Sequence, residues 1–167
     1  LILETVFLEW REMKFVFSGD TYPNKWFLEN ATGADLLIHE SFPTVGQLID
    51  SYRMSPESAW PVGVRIHTQP AAAGKIFSIL EPRMAVAYHF IGTATSRQEI
   101  LGEIRTTYAG PVTLGEDLLV WNVTPEHVAV RKVVAPDIVW PSRSKRQNAT
   151  LEVDKRTFPS KWLEDGR

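Results

Sequence analysis

Short apolar runs that alternate with helical patterns constrain the fold of this 167-residue chain more than any other feature of its sequence. Two runs come first, joined by Arg11 and Glu12 as a tight turn, and helical segments then separate the runs that follow. This order predicts an α/β fold, because parallel strands need a crossover connection that is usually a helix. The predicted strands are residues 5–10, 13–17, 36–38, 84–88, 112–114, 118–123 and 128–133, and the predicted helices are residues 23–31, 45–54, 70–80 and 96–108.

Capping residues and prolines predict where the helices begin. Asp20 or Thr21 is a candidate cap for the helix over residues 23–31, and Pro23 suits its first turn. Thr68 is a candidate cap for the helix over residues 70–80. Residues 55–65 contain two prolines, one glycine and an isolated tryptophan, and this composition predicts a loop.

The length predicts one domain, residues 1–135, followed by an extended tail, residues 136–167. Prolines at positions 136, 141 and 159 and a basic run at 143–146 set the tail apart. We interpret the basic run as a solvated segment, with contact to an acidic partner as the alternative.

Composition excludes several classes of function. The chain has no cysteine, so disulfides, cysteine-ligated zinc and thiol catalysis are excluded. A net charge of −2 gives no reason to expect nucleic acid or an anionic membrane as a partner. No apolar run is long enough for a membrane span, and the first residues lack the features of a signal peptide, so we expect a cytoplasmic protein.

Polar residues follow three apolar strands at the point where each strand ends. Asp20 follows the second strand, His39 and Glu40 follow the third, and His89 follows the fourth, while His67 precedes a helix. Ligands gather beyond the carboxyl ends of parallel strands, and Asp and His can bind zinc or act as general acids and bases.

Each of these residues also has a structural interpretation. Asp20 can be a helix cap, a histidine at a strand end can be a hydrogen-bonded structural residue, and His39 with Glu40 can be a buried pair. No H-x-H, H-E-x-x-H, G-x-S-x-G, Walker-type or dinucleotide-binding motif is present in the sequence. Spacing alone therefore identifies no metal site.

Four blocks in order resemble the C-terminal half of a metallo-β-lactamase-fold hydrolase: FVFSGDT, GADLLIHESF, IHTQPAAAGKIF and MAVAYHF. The following VTLGEDLLVWNVTPEHVAVR is similar to the closing strands of the branch that holds ribonuclease Z and its phosphodiesterase-like and arylsulfatase-like relatives. The resemblance covers about residues 13–131. It implies one βα half of a four-layer αββα fold, with a mixed sheet and helices on one face.

The resemblance also implies roles for individual residues. Asp20 would bridge two zinc ions, and His89 would be the last histidine ligand. His67 would be an acid/base group or a stabiliser of transition-state charge that does not bind metal. His39 and Glu40 would orient the ligands. In the family, a metal-bound hydroxide attacks an ester, phosphodiester or sulfate ester.

The sequence departs from the family in lacking the H-x-H-x-D-H motif and the next histidine ligand, so five of the seven usual ligands are absent. We therefore expect weak or absent zinc binding, and a half of an enzyme fold that is not active alone. The alternative is a non-catalytic, metal-free oligomeric α/β module. A half fold would leave one sheet face bare, so we also expect a two-fold dimer, with residues 1–10 as an edge or swapped strand.

Overall fold

The computed structural model describes residues 5–90 and 92–134 of the chain. The chain divides into two units, Leu1–Val133 and Val134–Arg167, and all elements below belong to the first. The predicted tail, residues 136–167, lies outside the described residues and stays a prediction. The elements are β1 (Val6–Trp10), β2 (Met13–Phe17), α1 (Lys25–Ala31), β3 (Leu36–Glu40), α2 (Val45–Asp50), α3 (Pro56–Pro61), a π-helix (Val62–Ile66), α4 (Pro70–Leu80), β4 (Met84–Tyr88), α5 (Ala94–Arg105), β5 (Val112–Leu114), β6 (Leu119–Val123) and β7 (Val128–Lys132).

The strands form a mixed five-stranded sheet in the order β1-β2-β3-β4-β5 and a separate antiparallel pair, β6-β7. β1 and β2 are antiparallel, and the Arg11–Glu12 turn has positive φ angles of 48° and 63°, as tight hairpins require. β2 to β5 are parallel and lie in chain order. Because parallel crossovers are right-handed, this order places the helices on one face of the sheet. The predicted fold class is confirmed.

The main core lies between that sheet face and the helices. Alternate strand residues such as Val16, Leu37 and Ala85 face inward and contact buried residues of α1, α4 and α5. Gly74 allows α4 to approach α5 closely, since a Cβ there would lie 2.6 Å from the carbonyl oxygen of Ile104.

The predicted loop over residues 55–65 is wrong. The structure has α3 and the π-helix there, and the preceding helix, α2, ends at Asp50. Ser55 caps α3 by accepting a hydrogen bond from the backbone N–H of Ser58, and Pro56 occupies the first turn. A proline at that position starts a helix, because its missing N–H would have no partner in the helix anyway.

The predicted cap of α4 is also wrong. Gln69 precedes α4 and its side chain forms no capping hydrogen bond. The Thr68 hydroxyl instead donates to the backbone carbonyl of Thr21 at 2.6 Å, and so ties the start of α4 to the loop after β2.

The cap of α1 is Asn24 rather than Asp20 or Thr21. The Asn24 side-chain oxygen accepts from the backbone N–H of Phe27 at 2.8 Å, and the helix begins at Lys25, beyond Pro23. The capping interpretation of Asp20 is therefore wrong.

We expect Asn24→Ala to lower the free energy of unfolding by about 1 kcal/mol, the usual cost of losing a cap. Asp20→Ala should change it by less than about 0.5 kcal/mol, since this carboxylate is 56 % exposed and caps nothing. Urea unfolding followed by circular dichroism measures both values. Equal losses from the two substitutions would contradict the assignment.

Among the described residues, no helix has the length and apolar character needed to cross a bilayer. On the sheet, the face opposite the main core carries exposed apolar side chains at its β1 edge. Val6, Leu8 and Trp10 are 54–59 % exposed, and Phe17, paired with Val6 in the register, is 38 % exposed.

The two-fold dimer stays a prediction, and this exposed face gives it a specific test. Size-exclusion chromatography with light scattering, at tens of micromolar protein, should give the mass of a dimer. Leu8→Lys should lower the measured mass toward that of the monomer, because dimerisation would then bury a charge, and desolvating a charge costs free energy. Val134→Lys is a matched control at an exposed site outside the strands. A monomeric wild-type chain would contradict the prediction.

Candidate functional site

Three of the predicted site residues lie together at the carboxyl ends of the parallel strands: Asp20 after β2, His89 after β4, and His67 just before α4. β3 and β4 pair with Glu40 opposite Tyr88, so His89 emerges next to Glu40. Asp20 follows β2, and β2 pairs with β3 on the side of β3 opposite β4. Asp20, His67 and His89 each offer a ligand atom, and these atoms lie within 4.8 Å of one another.

The loop after β2 holds Asp20 at the rim. The Ser18 backbone N–H donates to the carbonyl of Ile38 at 2.9 Å, and the Ser18 hydroxyl accepts from the backbone N–H of Glu40 at 3.1 Å. Gly19 then has φ 62°, in the left-handed region that glycine enters without a steric cost. The chain turns at that glycine, and the Asp20 carboxylate stays accessible to solvent.

The fully buried carboxylate of Glu40 is the centre of the site. Its Oε1 accepts from the backbone N–H groups of Thr21 at 2.5 Å and Thr68 at 3.2 Å. Its Oε2 lies 2.8 Å from Nδ1 of His67 and 3.1 Å from Nδ1 of His89. One side chain thus joins the loop after β2, the start of α4 and the end of β4. A buried carboxylate is tolerated only with such compensation.

These contacts define the state of both histidine rings. A carboxylate only accepts hydrogen bonds, so His67 and His89 must each donate through Nδ1. In the neutral rings Nε2 then keeps its lone pair, the arrangement found in carboxylate–histidine–metal sites. The hydrogen bond to Glu40 raises the pKa of His89, and the nearby charge of Asp20, whose Oδ1 lies 3.1 Å from the same Nδ1, adds to this rise.

Aromatic packing and backbone geometry fix the rings further. Phe42 stacks on His67, with ring centroids 4.0 Å apart and planes 16° apart, and meets the ring of His89 edge-on. His89 itself has φ 68°, a left-handed conformation that non-glycine residues seldom adopt and that is frequent at functional sites. Sequence reasoning missed Phe42, because an aromatic residue after a strand gives no distinct signal.

Tyr88 is a second residue that sequence reasoning missed. Its ring lies over Phe17, with centroids 5.0 Å apart. Burial raises the pKa of Tyr88 to about 12, with the charge of Asp20 contributing. The phenol therefore stays protonated at neutral pH. The strand alternation that points Tyr88 and Glu40 to the same face is the signal that could have found it.

His39 is not brought into this group. Its ring is fully buried in the core and meets Phe27 and Phe77 edge-on. Its Nδ1 lies 2.8 Å from the backbone carbonyl of Glu40, and burial lowers its pKa. Its Nε2, like the hydroxyl of Ser41, has no hydrogen-bond partner within the described part of the chain. A catalytic or ligand-orienting role for His39 stays a prediction.

The chemistry of the donors fits a divalent metal ion. One carboxylate and two imidazoles form the set, which matches the three protein ligands of many catalytic zinc sites. His67, to which the family resemblance gives a role without metal, lies within the same group as Asp20 and His89.

No protein-family profile and no curated protein matches the sequence. Among solved structures, the metallo-β-lactamase fold protein YhfI from Bacillus subtilis aligns with a TM-score of 0.50 and 18 % identity, over 67 % of this chain and 40 % of that chain. Human tRNase Z, short form (ELAC1), aligns with a TM-score of 0.38 and 21 % identity, over 63 % of this chain and 31 % of that one.

The chain thus spans less than half the length of either neighbour. At 18 % identity the likeness to the YhfI protein concerns the fold alone. That likeness is consistent with the α/β architecture of this chain, a mixed five-stranded sheet with helices. The described chain therefore has part of a metallo-β-lactamase fold.

Proposed function

We propose that this chain is part of a metal-dependent hydrolase that cleaves an ester, a phosphodiester or a sulfate ester. Asp20, His67 and His89 would hold a divalent ion, with zinc as the first candidate. The observation that carries the proposal is the convergence of these three donors within 4.8 Å, with both rings bonded to one buried carboxylate.

In this proposal some residues would bind the metal ion and others would position those ligands. Asp20 supplies negative charge at the rim, and the two rings supply neutral nitrogen donors. Glu40 accepts a hydrogen bond from Nδ1 of each ring, and Phe42 stacks on one face of His67. A bound metal ion would supply an activated water and an electrophile for the developing anion.

We propose that the chain is not active alone. It contains no H-x-H-x-D-H segment, and its aligned neighbour is more than twice as long as the shared part. The alternative is a metal-free, non-catalytic module. Its support is that Glu40 already gives both ring Nδ1 groups an acceptor without any metal. A cytoplasmic location is likewise a proposal, for which the composition is the only support.

Titration with Zn²⁺ or Co²⁺ tests the site. Isothermal calorimetry should give one ion per chain, bound weakly because the chain supplies only these three donors, and Co²⁺ should give the visible absorption of a low-coordinate site. Asp20→Asn and His89→Gln should each weaken binding by at least about 10–100-fold, the loss that removing even an outer partner of a metal site causes. His127→Gln, in the turn between β6 and β7, is the matched control and should leave affinity unchanged. Absence of saturable binding would favour the metal-free alternative.

The affinity should also depend on pH. The contact with Glu40 raises the pKa of His89, so its proton persists to higher pH than in a free histidine. The metal must displace that proton, and affinity should therefore rise from about pH 6 to about pH 8, with proton release measurable by calorimetry in two buffers. A pH-independent affinity would show that His89 is no ligand.

A further inference from the structure

A cavity of about 330 Å³ opens directly beside the metal-binding group, and we call it the aromatic cavity. His89 is shared between the metal-binding group and the cavity, so a molecule held at His89 would extend into it. Phe42, which stacks on His67, also forms part of its wall. The cavity is thus continuous with the site through two side chains.

The lining of the aromatic cavity is apolar apart from His89 and the Tyr52 hydroxyl. Leu48 is 3 % exposed and forms part of the wall, and Tyr52, 37 % exposed, contributes its ring. Met54 and Phe90 contribute a flexible thioether and a third ring. Aromatic rings prefer to pack against other rings, and methionine sulfur makes favourable contacts with them. The lining therefore favours a planar aromatic group over a sugar or a charged group.

The size of the cavity limits what it can take. Ligand pockets have volumes of roughly 300–1,000 Å³, so 330 Å³ suits one ring or two fused rings rather than a larger molecule. A second cleft shares Pro43 and Tyr52 with the aromatic cavity, and it is also lined by Gln47 and Glu99, which are hydrogen-bonded to each other. That cleft does not include His89, so it offers no comparable route to the metal-binding group.

We propose that the aromatic cavity binds the planar aromatic group of an aryl ester, with the ester held at Asp20, His67 and His89. This inference rests on the proposed function and names its substrate class. The aryl group would orient the scissile bond, since both ends of the molecule would be fixed at once.

The first experiment examines the cavity without metal. The probe is 2-naphthol, titrated into the full chain labelled with ¹³C at methionine and leucine methyl groups. The Met54 and Leu48 methyl resonances should shift with saturable behaviour below roughly 1 mM. Met54→Trp fills the cavity and should weaken binding at least about tenfold, whereas Ile79→Trp adds the same ring at an exposed position outside the cavity and should not.

Tyr52→Ala removes a ring instead of adding one, and it should also weaken 2-naphthol binding if Met54→Trp fails to fold. Absence of any methyl shift in the wild-type chain, or equal binding by Met54→Trp and Ile79→Trp, would overturn the proposal.

The second experiment links the aromatic cavity to the ester site. The zinc-loaded chain is titrated with phenylphosphonate and with methylphosphonate, which differ only in the aromatic group. The phenyl compound should bind about tenfold more tightly, and Met54→Trp should remove this difference while leaving methylphosphonate binding unchanged. Equal binding of the two phosphonates would overturn the aryl assignment. Binding of neither would refute the proposed function and the substrate class with it, even where 2-naphthol still shifts the methyl groups.

Discussion

Glu40→Ala should lower the free energy of unfolding by about 3–5 kcal/mol, the usual cost of removing one partner from a buried charged cluster. The carboxylate is fully buried and accepts from two backbone N–H groups and two imidazole rings. Alanine would leave the backbone N–H groups of Thr21 and Thr68 without an acceptor inside the protein. It would also release His67 and His89, which lie on separate segments.

Glu40→Gln tests the effect of the charge on stability while keeping the shape of the side chain. The amide keeps the volume and one acceptor oxygen, but its NH₂ group would face ring N–H donors. An intermediate loss of about 1–3 kcal/mol is therefore expected. Glu29→Ala is the matched surface control, since Glu29 forms an ion pair with the exposed Lys25. Its loss should cost about 0.5 kcal/mol or less. Urea unfolding measures all three variants, and a Glu40→Ala loss as small as that of Glu29→Ala would refute the central role of Glu40.

The sheet could be predicted from the sequence because its signals are local. Apolar runs such as residues 84–88 are short, rich in strand-forming residues and followed by polar residues, and the structure has β4 over Met84–Tyr88. The left-handed turn at Arg11 and Glu12 was also readable as the link of a hairpin.

The helix starts were predicted less well because several polar residues compete for each cap. Asp20, Thr21 and Asn24 all precede α1, and only the geometry around Pro23 decides that Asn24 caps it. In α3 the prolines look like loop signals, yet Pro56 occupies the first turn, where the lack of an N–H has no cost.

The candidate site was predictable in its members but not in its connections. Strand ends placed Asp20 and His89 at one rim, as the structure has them. That Glu40 would bond two rings and two backbone groups depends on its long-range contacts with residues 21, 67, 68 and 89, which no local pattern encodes. The position of His39 in the core follows from strand alternation, because His39 and Glu40 are neighbours and so point to opposite faces.

Phe77→Ala should also lower the free energy of unfolding by about 3–5 kcal/mol, through lost burial and the cavity left behind. Phe77 is fully buried in the main core, 5.6 Å from the ring of Tyr108 and 6.3 Å from that of His39 between centroids. Ile79→Ala is the matched control on the same helix, where the side chain is 56 % exposed and the expected change is within about 0.5 kcal/mol.

The loss caused by Phe77→Ala should depend on pH, because Phe77 helps to bury His39. Burial lowers the pKa of His39 in the folded chain below its unfolded value near 6.5. The stability that comes from the neutral ring is therefore complete above about pH 6.5 and is lost as the pH falls through the folded pKa. Phe77→Ala would let water reach the ring and its unpaired Nε2, so the folded pKa would return toward the usual value. The destabilisation by Phe77→Ala should accordingly be smaller at about pH 5 than at about pH 7.5, whereas that of Ile79→Ala should not change. If the loss of unfolding free energy is the same at both pH values, Phe77 does not contribute to the burial that lowers the pKa of His39.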